Sequence, residues 1–336
     1  MRGRHRMLKG VIPFVIVAII ILAIYLNTSI YQRTMIPLDA QRGRVSIPKN
    51  SEDEVFLLGG EFVFFANKFN AQKDEKEYAI FPGSLKDTSI ASNFGYGSYS
   101  LHIEGLNPAL TYSLIVPHAF SSCSIIANGM QIGKQGNIAR RQEDEEPSVS
   151  SIQALFRPDS NGEARLVFNL SNFTFRKGGI FSKIVLGEVG KVYKIFRNDL
   201  IFNGIVFAAI FTIASFLFLL FFFYKQARFV LWFALAFIFV AIRATFFYPH
   251  LAPQIFPNLH WHTVFIIRHI PLPVIFFTVS LKKALKLWYK IPYATLLSVA
   301  SLYTIAVFSF SANTIEKIAV YYQFVTVAFL LYNLVI

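Results

Sequence analysis

Two hydrophobic patterns divide this chain. Long apolar runs occupy its first 32 residues and residues 200–336, whereas residues 33–199 alternate apolar and polar positions. A charge-free run of about 20 residues crosses a bilayer as a helix, and period-two alternation is typical of half-buried strands. The pattern predicts a multidomain membrane protein with a transmembrane segment at 1–32, an exported all-β domain at 33–199 and an α-helical transmembrane bundle at 200–336.

The first apolar run extends from Gly10 to Gln32 without a charge, and four basic residues precede it. As a helix it would measure about 34 Å, enough to span a bilayer. An uncleaved signal anchor and a cleaved signal peptide both fit this pattern. The long apolar core and the lack of a clear small-residue cleavage site favour the anchor. In both cases the chain from about residue 33 onward is exported.

Five further runs have the length and hydrophobicity of membrane spans. They cover approximately residues 200–224, 229–247, 263–281, 291–311 and 318–336. The connecting segments 225–228 and 282–290 carry Lys and Arg, whereas 248–262 carries neither. The positive-inside rule therefore places the N-terminus and the two basic segments on the cytoplasmic side. Because no polar tail follows the last span, we expect the chain to be a fragment of a longer protein.

Residues 33–199 contain short runs with a period of two, such as Phe62 and Phe64, which alternate with Glu61, Val63 and Phe65. Asn128-Gly129, between two apolar runs, predicts a tight hairpin because both positions tolerate positive φ. Many short strands of this kind predict an antiparallel β-sandwich or jelly roll. The acidic run Glu143–Glu146 fits a solvated loop, with a calcium-binding loop as the alternative.

Composition and charge reduce the number of function classes that fit the chain. The chain is 54% hydrophobic and only 15% charged, with a formal net charge of +13. That charge divides into +4 for residues 1–10, +1 for 11–199 and +8 for 200–336. Because the excess lies beside apolar runs, it indicates membrane orientation and excludes a nucleic-acid groove. The single cysteine, Cys123, excludes an internal disulfide.

Catalytic and metal-binding patterns are absent from the sequence. It contains no phosphate-binding loop, nucleophile elbow, zinc-protease helix or C-x-x-C pair. His250, His260 and His262 share one predicted outer loop, but no cysteine or carboxylate there completes a metal site. We therefore expect no enzymatic activity, no cofactor and no metal.

Several short motifs follow one another along the chain before the apolar runs: Leu58–Phe65, Phe81–Ser84, Gly95–Leu101, Ala127–Gly129 with Gly133 and Gly136, Ser171–Phe173, Arg176–Gly179 and Leu186-Gly187. In order, spacing and position they resemble those of bacterial seven-transmembrane receptors with diverse intracellular signalling modules. The resemblance covers Leu57 to the end of the chain, and Leu85 departs from it where the family often has Trp.

The resemblance implies a galactose-binding-like jelly roll outside the membrane, seven spans, and a cytoplasmic output domain such as a kinase, cyclase or phosphatase. Only five bundle spans and no output domain are recognisable in this sequence. Any enzymatic activity would therefore belong to a longer parent chain.

Two groups of residues are candidate sites. Glycines beside a basic pair would let an anionic or sugar ligand approach the backbone, although a tight turn explains the same motif. Tyr99, which shares the apolar face of its predicted strand with Leu101, is expected in the core rather than stacked on a sugar. The candidate ligand-binding residues are Tyr96, Asn172, Arg176, Lys177, Gly178 and Gly179.

The second group consists of ionisable residues at one predicted depth near the outer membrane surface. They would form a polar cluster beneath the exported domain, or each arginine would extend separately to the headgroups. The members are Asp199, Arg243, Arg268, His269 and Glu316.

Together these features predict a transmembrane signal receptor in a bacterial cytoplasmic membrane. The exported domain would sense a ligand, with carbohydrate-like chemistry as one option, and the bundle would relay the signal inward. A membrane transporter and a membrane-anchored binding module are the alternatives. The expected partners are the lipid bilayer and the exported-side ligand, not nucleic acid, and a homodimer is left open.

Overall fold

The computed structural model describes residues 35–70, 77–116, 119–120, 122–148, 151–175, 178–223 and 229–246, with isolated positions between 276 and 325. Fourteen strands precede two long helices in these ranges. The strands are β1 (Ile36–Ala40), β2 (Arg44–Ser46), β3 (Val55–Ala66), β4 (Glu77–Phe81), β5 (Gly83–Ser84), β6 (Gly95–Glu104), β7 (Tyr112–Val116), β8 (Ala119–Phe120), β9 (Ser122–Ala127), β10 (Met130–Gln135), β11 (Ile152–Phe156), β12 (Ala164–Asn172), β13 (Gly179–Ile180) and β14 (Ile184–Glu188).

The strands form a β-sandwich whose two sheets share β3. The second half of β3 pairs with β4 and β6, giving one sheet in the order β10-β9-β12-β6-β3-β4. Its first half pairs with β1 and β14, giving the other in the order β1-β3-β14-β7-β11. β2 extends beside β6, and β5, β13 and β8 form a small third sheet.

The strand β3 changes sheets at Gly59-Gly60. Gly60 has φ +97°, and a Cβ atom there would lie 2.4 Å from the carbonyl oxygen of Ala40. Glycine is therefore required by both the backbone conformation and the close approach of β1. This position lets one strand contribute to both layers.

An aromatic cluster fills the space between the two sheets. Phe62 stacks on Phe81 with ring centroids 4.4 Å apart, and Tyr99 and Phe168 pack around them. Each of these side chains is at most 1% exposed. Phe62 and Tyr99 therefore belong to the core, as predicted, whereas β12 is buried along nearly its whole length and not on one face alone.

The predicted hairpin is also confirmed. Ala127 pairs with Met130 across Asn128 (φ 48°) and Gly129 (φ 86°). Two successive positive φ angles give the turn a twist that matches the flanking strands. The local sequence therefore determines the register of β9 and β10.

Two apolar helices follow the sandwich: α1 (Val189–Phe223) and α2 (Phe229–Phe246). In the described part of the chain, α1 alone meets the length and hydropathy expected of a membrane span. It begins at Val189, so the predicted boundary between residues 199 and 200 falls inside the helix. The predicted anchor at 1–32 lies outside the described residues, as do most of 263–281, 291–311 and 318–336.

Candidate functional site

The candidate ligand residues lie at one end of the sandwich, where β12 ends beside the start of β6. Asn172 pairs with Gly95, and Ser171 pairs with Tyr96, so the fold brings Tyr96 next to Asn172. Arg176 and Lys177 lie outside the described residues. The fold therefore brings together part of the predicted set.

Asn172 is 1% exposed, and its side chain is engaged by the protein itself. Its amide nitrogen donates to the carbonyl oxygens of Asn93 at 2.6 Å and Phe175 at 2.8 Å. Its amide oxygen accepts from the backbone N–H of Phe175 at 2.9 Å. Asn172 thus closes the turn that follows β12 and ties it to the loop before β6.

The two glycines of the motif are buried in the same junction. A Cβ atom on Gly178 would lie 2.5 Å from both the Asn172 amide nitrogen and the Asn93 carbonyl oxygen. The Gly178 carbonyl accepts from the backbone N–H of Leu85 at 2.9 Å. Gly179 begins β13 and pairs with Ser84. Close packing therefore explains why both positions are glycine, and this explanation requires no ligand.

Tyr96 is half-buried, and its ring lies 5.0 Å from that of Phe69 at an angle of 47°. One face of the candidate stacking residue is therefore already occupied by an aromatic partner. The ring edge remains partly accessible beside the turn.

Sequence reasoning missed a buried carboxylate at this end. Glu145, within the acidic run expected to be solvated, is 8% exposed. Its oxygens accept from the Ser171 hydroxyl at 2.8 Å, the Phe173 backbone N–H at 2.9 Å and the Thr174 hydroxyl at 3.3 Å. This carboxylate fastens the 137–146 loop to the end of β12. Among the described residues no group of His, Cys, Asp and Glu could hold a metal.

The opposite end of the sandwich carries a cavity of about 260 Å³. β6 runs from Gly95, beside Asn172, to Glu104, which precedes the cavity residue Gly105. Nine residue steps along a strand place the two ends about 30 Å apart. The cavity is bounded by residues 47–52, Glu54, Phe56, 105–107, Tyr112 and Leu186.

The cavity end of the sandwich is also where α1 begins. β14 passes directly into α1, and the backbone N–H of Val189 donates to the Thr111 carbonyl at 3.2 Å. Val192 is 2% exposed and packs in an apolar cluster with Met35, Val55, Ile115 and Val185. We call this group, which joins the first turns of α1 to the sheet that contains β3, β14 and β7, the joint cluster.

An ion pair reinforces the junction. The Lys191 ammonium lies 2.5 Å from the Asp53 carboxylate. Hydrogen bonding to Lys191 lowers the pKa of Asp53, and the same bond raises the pKa of Lys191. The pair therefore stays ionised from below the ordinary carboxyl range to above the ordinary lysine range. Asp53 follows the cavity residue Glu52 directly, so the cavity wall is linked to α1.

The predicted outer polar cluster lies outside the described part of the chain. The side chains of Asp199 and Arg243, and the whole of Arg268, His269 and Glu316, lie outside the described residues. Their pairing stays a prediction.

No protein-family profile and no curated protein matches the chain. Solved structures with partial likeness include β-galacturonidases and β-glucuronidases. The β-galacturonidase of Eisenbergiella tayi bound to galacturonate is 16% identical with a TM-score of 0.29, over 39% of this chain and 23% of that one. The β-glucuronidase of an uncultured Clostridium is 16% identical with a TM-score of 0.32, over 40% and 28%.

The β-glucuronidase of Faecalibacterium prausnitzii is 13% identical with a TM-score of 0.30, over 42% of this chain and 32% of that one. The matched part thus spans 23–32% of the length of these chains. A TM-score near 0.3 does not establish a common fold, so the architecture rests on the strand pairing described above.

Proposed function

We propose that this protein is a transmembrane signal receptor of a bacterial cytoplasmic membrane. Its exported sandwich, a galactose-binding-like jelly roll, senses a ligand, and the helical bundle relays the signal to a cytoplasmic output domain. The observation that carries the proposal is the joint: β14 continues into α1 without a linker, and Val192 is buried among sandwich residues. A rearrangement of the sandwich would therefore reach α1 without slack.

The surface of α1 supports its membrane location. The helix has 35 residues and measures about 52 Å, whereas a hydrocarbon core needs about 30 Å. The helix is thus long enough for its first turns to pack on the sandwich while the remainder spans the lipid bilayer. Ile205, Phe216 and Phe222 are each more than half exposed. A soluble protein rarely exposes so large an apolar surface.

Contacts beyond α1 support a bundle. α1 packs on α2 through a cluster that includes Ala214 and Ala241, both fully buried. The ring of Trp232 in α2 lies 5.7 Å from that of Phe276, and Tyr303 stacks on Tyr322 at 4.3 Å. These contacts involve residues from all five predicted spans, in two groups: the first three spans and the last two.

The relay requires two arrangements of the bundle that the ligand binds with different affinity. Ile115 offers a ligand-independent way to perturb the joint cluster, because it is 2% exposed and lies on β7. In the full chain, we expect Ile115→Ala to raise hydrogen exchange in peptides from 189–199. It should also change the labelling rate of a cysteine placed at Lys225 on the inner side.

Two controls isolate the relay. Leu155→Ala, on the exposed face of β11, should change neither signal, because Leu155 is 56% exposed. Four glycines inserted between Glu188 and Val189 should abolish the effect of Ile115→Ala at position 225. If Ile115→Ala leaves the labelling rate at position 225 unchanged even without the glycine insertion, the result would favour a helix that is only a membrane anchor. Solute uptake by proteoliposomes would favour a transporter.

A further inference from the structure

The cavity near α1 has a size and lining that point to a small ligand. Its volume of about 260 Å³ is below the roughly 300–1,000 Å³ typical of drug-sized ligands. Phe56, Tyr112 and Leu186 line it and are at most 5% exposed. The cavity therefore has an apolar and aromatic floor beneath the loop of residues 47–54.

The polar lining is acidic. Glu52 and Glu54 contribute two carboxylates against one ammonium from Lys49, in a protein whose overall charge is +13. The Asn107 amide donates to one oxygen of Glu52 at 2.7 Å, and the described residues give its other oxygen no partner. An anion would be repelled here, whereas a cation would neutralise the excess charge.

Tyr112 adds a hydrogen-bonding group that the protein leaves partly unused. Its hydroxyl oxygen accepts from the Asn107 backbone N–H at 3.0 Å, but within the described ranges its proton has no acceptor. Burial raises the pKa of Tyr112, and the nearby carboxylates of Glu52 and Glu188 raise it further. The hydroxyl therefore stays protonated and can donate.

We propose that this cavity binds a small organic ammonium ligand that carries a hydroxyl or another acceptor. Ammonium groups are attracted both to carboxylates and to the faces of aromatic rings. The inference rests on the proposed receptor function, for which it supplies the sensing site. The proposed sensing site then lies at the end of the sandwich that adjoins α1, and not at the Asn172 end.

The cavity wall connects directly to the helix. Glu54 follows Asp53, which pairs with Lys191, and a Cβ atom on Gly187 would lie 3.1 Å from Val192 and 3.3 Å from the Glu54 carbonyl. Movement of the wall toward a bound ammonium would thus displace the first turn of α1.

Calorimetry with choline tests the site in the full chain, held in a polyoxyethylene detergent that has neither ammonium nor sugar groups. We expect choline to bind and glucose and acetate not to bind. Glu54→Gln should weaken choline binding about fivefold, the effect of one charge at an accessible site. Glu143→Gln, an exposed acid at the other end, should leave it unchanged.

Burial of the single cysteine, Cys123, reports whether each variant is folded. Three results would overturn the site: equal choline affinity in the Glu54 and Glu143 variants, binding of glucose without binding of choline, or no binding of choline. The receptor function is judged separately, by labelling at position 225 with saturating choline. Binding without a change there would retain the site and reject the relay, whereas no binding with an intact Ile115→Ala effect would reject the site alone.

Discussion

Replacing Asn172 by alanine separates its structural role from its predicted ligand-binding role. The amide makes three hydrogen bonds within 3.0 Å, two to Phe175 and one to Asn93. It joins the turn after β12 to the loop before β6 while buried from solvent. If this network explains the residue, its loss must lower stability in the absence of any ligand.

The magnitude follows from those contacts. Each intramolecular hydrogen bond contributes about 1 kcal/mol net, and a buried polar group that loses its partner costs about 1–3 kcal/mol. Because the junction can relax, the three terms will not add fully. We expect Asn172→Ala to lower the free energy of unfolding of the sandwich by about 2–4 kcal/mol.

Cys123 provides an assay that reports on the sandwich within the full chain. It is the single cysteine of the protein and is 0% exposed on β9. Burial also raises the pKa of its thiol, which suppresses the reactive thiolate. Thiol labelling at increasing urea therefore measures opening of the core. With a urea dependence of about 2 kcal/mol per M, the midpoint should fall by about 1–2 M.

Asn161→Ala is the matched control, because Asn161 is exposed and its side chain makes no hydrogen bond to the described part of the chain. Its free energy of unfolding should stay within about 0.5 kcal/mol of the wild-type value. Equal midpoints for the two variants would refute the structural explanation of Asn172 and restore its candidacy as a ligand-binding residue.

Three further predictions test the architecture. Cysteines placed singly at Gln142 and Lys286, without Cys123, should show labelling at 142 and protection at 286 when an impermeant reagent is added to intact spheroplasts; the reverse would reject the topology. Residues 33–197 alone should give a β-type far-UV spectrum and a cooperative melt, and a helical spectrum would contradict the sandwich. In urea denaturation, Phe62→Ala should lower the free energy of unfolding by about 3–5 kcal/mol, whereas Leu155→Ala should leave it nearly unchanged.

The sequence predicts features that depend on local pattern. The alternation around Phe62 and Phe64 identified the buried face of β3, because one face of the strand meets the core. Asn128-Gly129 identified a hairpin because the turn is encoded by the two residues themselves. The run at 229–247 closely matched α2.

Long-range contacts explain what sequence reasoning missed. Glu145 looked solvated because its neighbours are acidic, yet three polar groups from the end of β12 surround it. The cavity joins residues as far apart in sequence as Ile47 and Leu186. Such a site has no short motif, since strand pairing between distant segments creates it.

The start of α1 shows why hydropathy alone does not locate the beginning of this helix. A hydropathy run begins where charges cease, near Leu200, but the helix begins at Val189 because its first turns have sandwich residues to pack against. Met35, which follows the predicted N-terminal anchor, lies in the same joint cluster as Val192. The first described residue of the sandwich and the start of α1 therefore pack together at one corner. A displacement of α1 relative to β1 must repack that cluster, and closely packed interiors resist small continuous shifts. The corner is thus suited to switching between discrete arrangements, which is the property that a relay across a membrane requires.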